Sequence, residues 1–156
     1  MIAEQVAQKY REASEYFFTT VEQVTSGNLD NCHPEGWSAR QIIHHMADSE
    51  VQSYARLRRL LAEPEGSTIQ GYDESAWATC DALGYRELDI EPSLEVIRAV
   101  RHSSTLIIGR LTESDFSRYG VHTESGRYTV SDWLTIYIAH PREHGDQLLR
   151  AIQSLA

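Results

Sequence analysis

Four long stretches of this chain repeat their apolar residues at helical spacing, and that period decides most of what the chain can fold into. The first runs through Ile2, Val6, Tyr10, Ala13, Phe17, Val21 and Val24 and stops at the turn-forming "SGN" of residues 26–28. The second opens at Ser38, a good N-cap, and repeats at Ile42, Met46, Glu50, Tyr54, Leu57 and Leu61, with Glu50 the charged exception. A third starts at Pro92-Ser93 and carries Leu94, Ile97, Val100, Leu106, Ile107 and Leu111. The fourth starts at Ser131 and sets Trp133, Leu134, Ile136, Tyr137, His140, His144, Leu148 and Ile152 on or beside one stripe. Helices with one apolar face each must bury those faces against one another, so the pattern predicts an all-α four-helix bundle.

The connections refine the picture. Residues 62–92, between the second and third helices, hold two prolines, three glycines and no sustained period beyond a short helix near residues 74–80. This reads as a long crossover, a kind of segment that is often functional in a compact domain. "SRYGVHTESGRYTV" precedes the last helix, with a turn at residues 124–126 between two extended pieces, and reads as a small hairpin.

A chain of 156 residues is long enough for one domain with a real core, so residues 1–156 are expected to form a single domain. The net charge of −9 disfavours nucleic acid and anionic membranes as partners. Arg56, Arg58 and Arg59 form the one dense basic cluster, read as a solvated face near a helix end. No window approaches the apolar length of a membrane span, and the charged N-terminus lacks the pattern of a signal peptide. Cys32 and Cys80 make neither a disulfide framework nor a zinc knuckle, which fits a reducing cytoplasm.

His140 and His144 stand four residues apart, one above the other on a helix face, and can converge on one ion. A catalytic metal usually takes three protein ligands, and the second helix offers the adjacent His44 and His45. His45 shares the inward stripe with Ile42, Met46 and Ser49, whereas His44 lies about 100° round the helix. His45 is therefore the inward one. The spacing suits ligation, and it equally suits a hydrogen-bonded core pair; the residues taken separately leave both readings open. Pro141 follows His140 directly, and its missing N–H frees the carbonyl of Tyr137. A kink or local unwinding is expected there, with a water on that carbonyl, unless Pro141 opens a fresh helical segment.

"GWSARQIIHHMADSE", "YDESAW", "VHTESGRYTVSDWL" and "HPREHGDQL", in this order, resemble the DinB-like superfamily, specifically its YfiT-like branch of metal-dependent hydrolases, relatives of the bacillithiol S-transferases. The resemblance covers residues 36–148. It implies an up-down-down-up bundle with the long crossover between helices two and three, often a homodimer, with nickel or zinc held by three histidines. Carried over position by position, those are His45, His140 and His144. Exposed aromatics such as Tyr10, Tyr16 and Phe18 are expected to meet a dimer partner. Ligand histidines usually donate their second ring nitrogen to an oxygen acceptor, and Asp48 and Gln147 are the nearest candidates. The resemblance also places Tyr72, Asp73 and Trp77 near the mouth of the site. His33, His102 and His122 have no partner pattern.

A metal on three neutral imidazoles suits two reactions on a small-molecule substrate. One is hydrolysis by an activated water. The other is transfer of a low-molecular-weight thiol, bound as thiolate, to an electrophile, with Arg127 and Arg142 as local cations for an anionic thiol. A non-catalytic, stress-associated metal-binding module is the third reading. No glutamate sits beside the histidine pair as in HExxH, so the sequence names no general base.

Overall fold

A computed structural model describes residues 2–156. Four long helices dominate it: α1 (Ala3–Val21), α2 (Ala39–Ala62), α4 (Glu91–Ile108) and α5 (Val130–Ile152). Between α2 and α4 the crossover holds a two-residue strand β1 (Thr68–Ile69), the short helix α3 (Glu74–Thr79) and a 3₁₀ turn at Asp81–Leu83. A second 3₁₀ turn, Glu113–Ser117, leads into the hairpin β2 (Tyr119–His122) and β3 (Gly126–Thr129). The bundle is the expected one.

Local chemistry explains most boundaries. Ser38 caps α2 through a reciprocal box with Gln41: the serine hydroxyl accepts from Gln41 N–H at 3.2 Å and the glutamine carbonyl from Ser38 N–H at 2.9 Å. Thr129 and Asp132 build the same box, so α5 begins at Val130, one residue before the expected start at Ser131. Proline occupies the first turn of α4, where its missing N–H costs nothing. That helix stops at Ile108, short of the expected Leu111. The hairpin turns at Gly126, whose φ of 79° strains any residue with a Cβ. Its other partner was not foreseen: β1 pairs parallel with β2, Thr68 opposite Val121, and ties the crossover to the hairpin.

The long helices pack chiefly as α1 with α4 and α5, and α2 with α4 and α5. Helix α5 comes close to α1 at Gly145, where a Cβ would stand 3.1 Å from the Tyr16 ring and 3.2 Å from the Thr20 methyl. Two apolar clusters form, one around Tyr10, Leu57, Leu60, Trp133 and Ile108, the other around Phe17, Ile42, Ile43, Met46, Ile97 and Leu148. Tyr10 corrects one expectation: it is 0% exposed and stacks on Trp133 at 5.8 Å, so it offers no surface to a partner. Among the described residues, no helix is long and apolar enough to cross a membrane.

Candidate metal centre

His45 points inward from α2, and His140 and His144 meet it from consecutive turns of α5. The Nε2 atom of His144 lies 3.2 Å from Nε2 of His45 and 3.1 Å from Nε2 of His140. Gln147 Oε1 accepts from His144 Nδ1–H at 2.6 Å, which leaves the lone pair of His144 on Nε2, facing the other two rings. That single lone pair can accept only one of the two neighbouring N–H groups. The Nδ1 atoms of His45 and His140 are buried and have no hydrogen-bond partner. If each ring carries its proton on Nδ1, three lone pairs converge on one point.

A cation held between the rings would relieve that crowding. Three tetrahedral nitrogen ligands of zinc, each ~2.0–2.1 Å from the ion, stand about 3.3–3.4 Å apart. The separations from His144 come within a few tenths of an ångström of this. Burial also holds the rings in the ligating, neutral form. It pushes His45 down to about 4, helped by His144, and His140 well below the ordinary histidine value, while His144 is lowered by burial against the opposing pull of Gln147. The histidines fit a divalent metal.

His44 plays another part. Its Nε2–H donates to the Leu88 carbonyl at 3.1 Å and its Nδ1 accepts from Ser93 Oγ–H at 2.8 Å, which fastens α2 to the end of the crossover and the start of α4. Asp48 does not reach His45; it accepts from the Tyr85 hydroxyl. Tyr85 lies in the crossover, and no sequence spacing links it to Asp48. Trp37, just before α2, packs its ring 5.1 Å from that of His45 and forms part of the site's wall, a role its sequence position does not reveal. Tyr72 and Trp77 pack on one another at 4.7 Å, half-buried, with the Tyr72 hydroxyl buried and unpartnered. Asp73 caps α3 by accepting from Ala76 N–H at 2.9 Å. Arg127 and Arg142 are exposed, the former over the Tyr119 ring at 3.7 Å. Arg56 is not on a solvated face. It donates to the Tyr137 hydroxyl at 3.1 Å and to the Gln70 carbonyl at 2.9 Å, joining α2, α5 and the crossover.

Helix α5 continues through Pro141, which rules out a fresh segment starting there and the expected local unwinding. The carbonyl of Tyr137, left without its helical donor, accepts from Arg101 Nη1–H at 2.8 Å.

A four-helix bundle with a converging trio of histidines defines a metal-site bundle, with α2 and α5 supplying the ligands. The sequence model of the DinB superfamily matches residues 3–148, and the chain belongs to that superfamily. It is 35% identical over 126 residues to a candidate metal-dependent hydrolase of Oceanobacillus iheyensis, an alignment covering 80% of this chain and 71% of the relative. With YfiT of Bacillus subtilis, also described as a candidate metal-dependent hydrolase, identity is 30% over 145 residues, covering 92% and 76%. The solved structure of YfiT superposes with a TM-score of 0.85 at 27% identity, covering 99% of this chain and 89% of that one, and is described as having an unusual four-helix bundle topology. The chain shares that bundle fold.

Proposed function

We propose that this protein is a divalent-metal-dependent hydrolase of a small-molecule substrate, with zinc or nickel held by His45, His140 and His144. The observation that carries the reading is the convergence of three Nε2 atoms from two helices, with no fourth protein donor in the cluster among the described residues. Structural zinc is usually closed by four protein ligands, whereas three leave a position for a reactant. Bound there, a dication supplies Lewis acidity and lowers the pKa of water toward ~7. The chain's own share is to keep three imidazoles neutral by burial, to orient His144 through Gln147 and to wall the site with Trp37.

One observation supports a second reaction. None of the three histidines is hydrogen-bonded to a carboxylate, and the nearby Asp48 is engaged by Tyr85, so no general base stands ready at the rings. Transfer of a thiol, bound as thiolate, to an electrophile needs no such base. The test is elemental analysis of purified protein, followed by assays with activated esters and amides and with a low-molecular-weight thiol plus a chlorinated or epoxide electrophile. Stoichiometric metal with ester or amide turnover that chelation abolishes is expected. In His140→Ala the fold should persist while metal affinity falls at least ~100-fold. Protein that neither contains nor takes up metal overturns the reading, and turnover only with thiol replaces hydrolysis by transfer.

A further inference from the structure

Proline at position 141 removes the N–H that should bond the Tyr137 carbonyl, one turn below His140, yet α5 continues without a break. The missing donor comes from a different helix. Arg101 of α4 is 2% exposed, and its guanidinium is spent on every side. Nη1 donates to the Tyr137 carbonyl at 2.8 Å and to Glu50 Oε1 at 3.0 Å. Nη2 donates to the Tyr10 carbonyl at 3.0 Å, and Nε to Ser14 Oγ at 2.7 Å, with the guanidinium carbon 3.6 Å over the Tyr10 ring. All four long helices thus meet at one side chain. Two of its contacts lie on the helices that carry the histidines: Tyr137 precedes His140 by three residues on α5, and Glu50 follows His45 by five on α2.

We infer that Arg101 is a positioning residue of the three-histidine site: it substitutes for the donor that Pro141 removes and thereby holds the His140 turn of α5 in register with the His45 turn of α2. An arginine suits this task because its planar fork carries five donors in fixed directions, so one group can hold α5, α2 and α1 at set angles. A lysine has the charge and lacks the fork. Proline at 141 and arginine at 101 form a pair, and restoring the N–H at 141 makes part of the arginine's work redundant.

This inference rests on the metal reading, and the test keeps the two apart. Cobalt(II) is titrated into metal-free wild type, R101K, R101M, P141A/R101M and P141A/R101K, reading affinity and the ligand-field spectrum, with helicity checked by circular dichroism. L60A, a buried apolar change in the cluster around Trp133, serves as the control for general destabilisation. Loss of a group that orients a metal ligand typically costs 10–100-fold in affinity. R101M, or R101K if R101M does not fold, is expected to bind cobalt about 10–100-fold more weakly with an altered spectrum. P141A in the same background should recover part of that loss, and L60A should melt earlier with affinity and spectrum unchanged. Wild type that binds no cobalt overturns the metal reading and this inference with it. Wild type that binds while the arginine variants match it, or variants that P141A does not rescue, overturn the positioning role alone.

Discussion

Two of the polar groups buried in this bundle are built on opposite plans. Around Arg101 every hydrogen-bonding atom of the guanidinium that reaches a neighbour finds a protein acceptor, and Glu50, 0% exposed, shares its two oxygens between Arg101 and Ser53. Around His45, His140 and His144 the nitrogens face each other, two Nδ1 atoms lack partners, and burial keeps the rings uncharged. A buried charge that is paired and hydrogen-bonded is self-contained, whereas converging lone pairs are stable only with something else between them. The first group is architecture. The second is a cluster suited to hold a cation, and the contrast sets it apart from the closed group more clearly than either shows alone.

The largest effect expected from breaking this contrast is on the closed group. Glu50→Ala leaves Arg101 buried without its counter-ion and should destabilise the protein by about 3–5 kcal/mol, read by urea denaturation. The double variant Glu50→Leu with Arg101→Met removes both charges and should regain much of that stability while still impairing cobalt binding. A single variant as stable as wild type would show that the ion pair does not hold the four helices together.

The open group should respond to acid. His45 has its pKa lowered in the folded state, to about 4 from an ordinary 6.5, so the folded protein binds fewer protons than the unfolded chain between those values. Stability of the metal-free protein is therefore fully present above about pH 6.5 and is lost as pH falls toward 4, by about 3 kcal/mol from His45. His140 and His144 shift the same way, each chiefly through burial. Denaturation midpoints across this window, compared with those of His45→Gln, check the slope. A metal-free protein whose stability is flat from pH 7 to 4.5 would contradict the buried neutral rings.

The smallest effect expected is at the edge of the site. Gln147→Leu removes the acceptor that fixes the ring of His144, and metal affinity should fall about tenfold, about 1.4 kcal/mol, with the melting temperature of the metal-free protein hardly changed. An unchanged affinity would mean that packing alone orients that ring.

What could be read from the chain was what neighbouring residues decide. The 3.6-residue period marks all four long helices, Ser38 announces the start of α2, and Gly126 announces the hairpin, because each signal acts within a few residues. The same period turns His45 inward and leaves His44 on another face. The resemblance to the DinB-like pattern then brought that residue together with the α5 pair.

The tertiary structure decided what depends on partners far along the chain. Asp48 looked available to His45 until the crossover delivered Tyr85 to it, and Thr68–Ile69 becomes a strand only because β2 lies alongside. Arg101 stands seven residues after Leu94 and four after Ile97, on the inward face of α4, but the apolar stripe runs as readily through Val100, and a lone charge beside it reads as solvent-facing. Its burial became possible when α1, α2 and α5 placed acceptors around it, including the carbonyl that Pro141 had left without a donor. Periodicity is a property of one helix, and it fixes which face turns inward. Hydrogen-bond satisfaction of a buried charge is a property of all the helices at once, and only their packing could settle it.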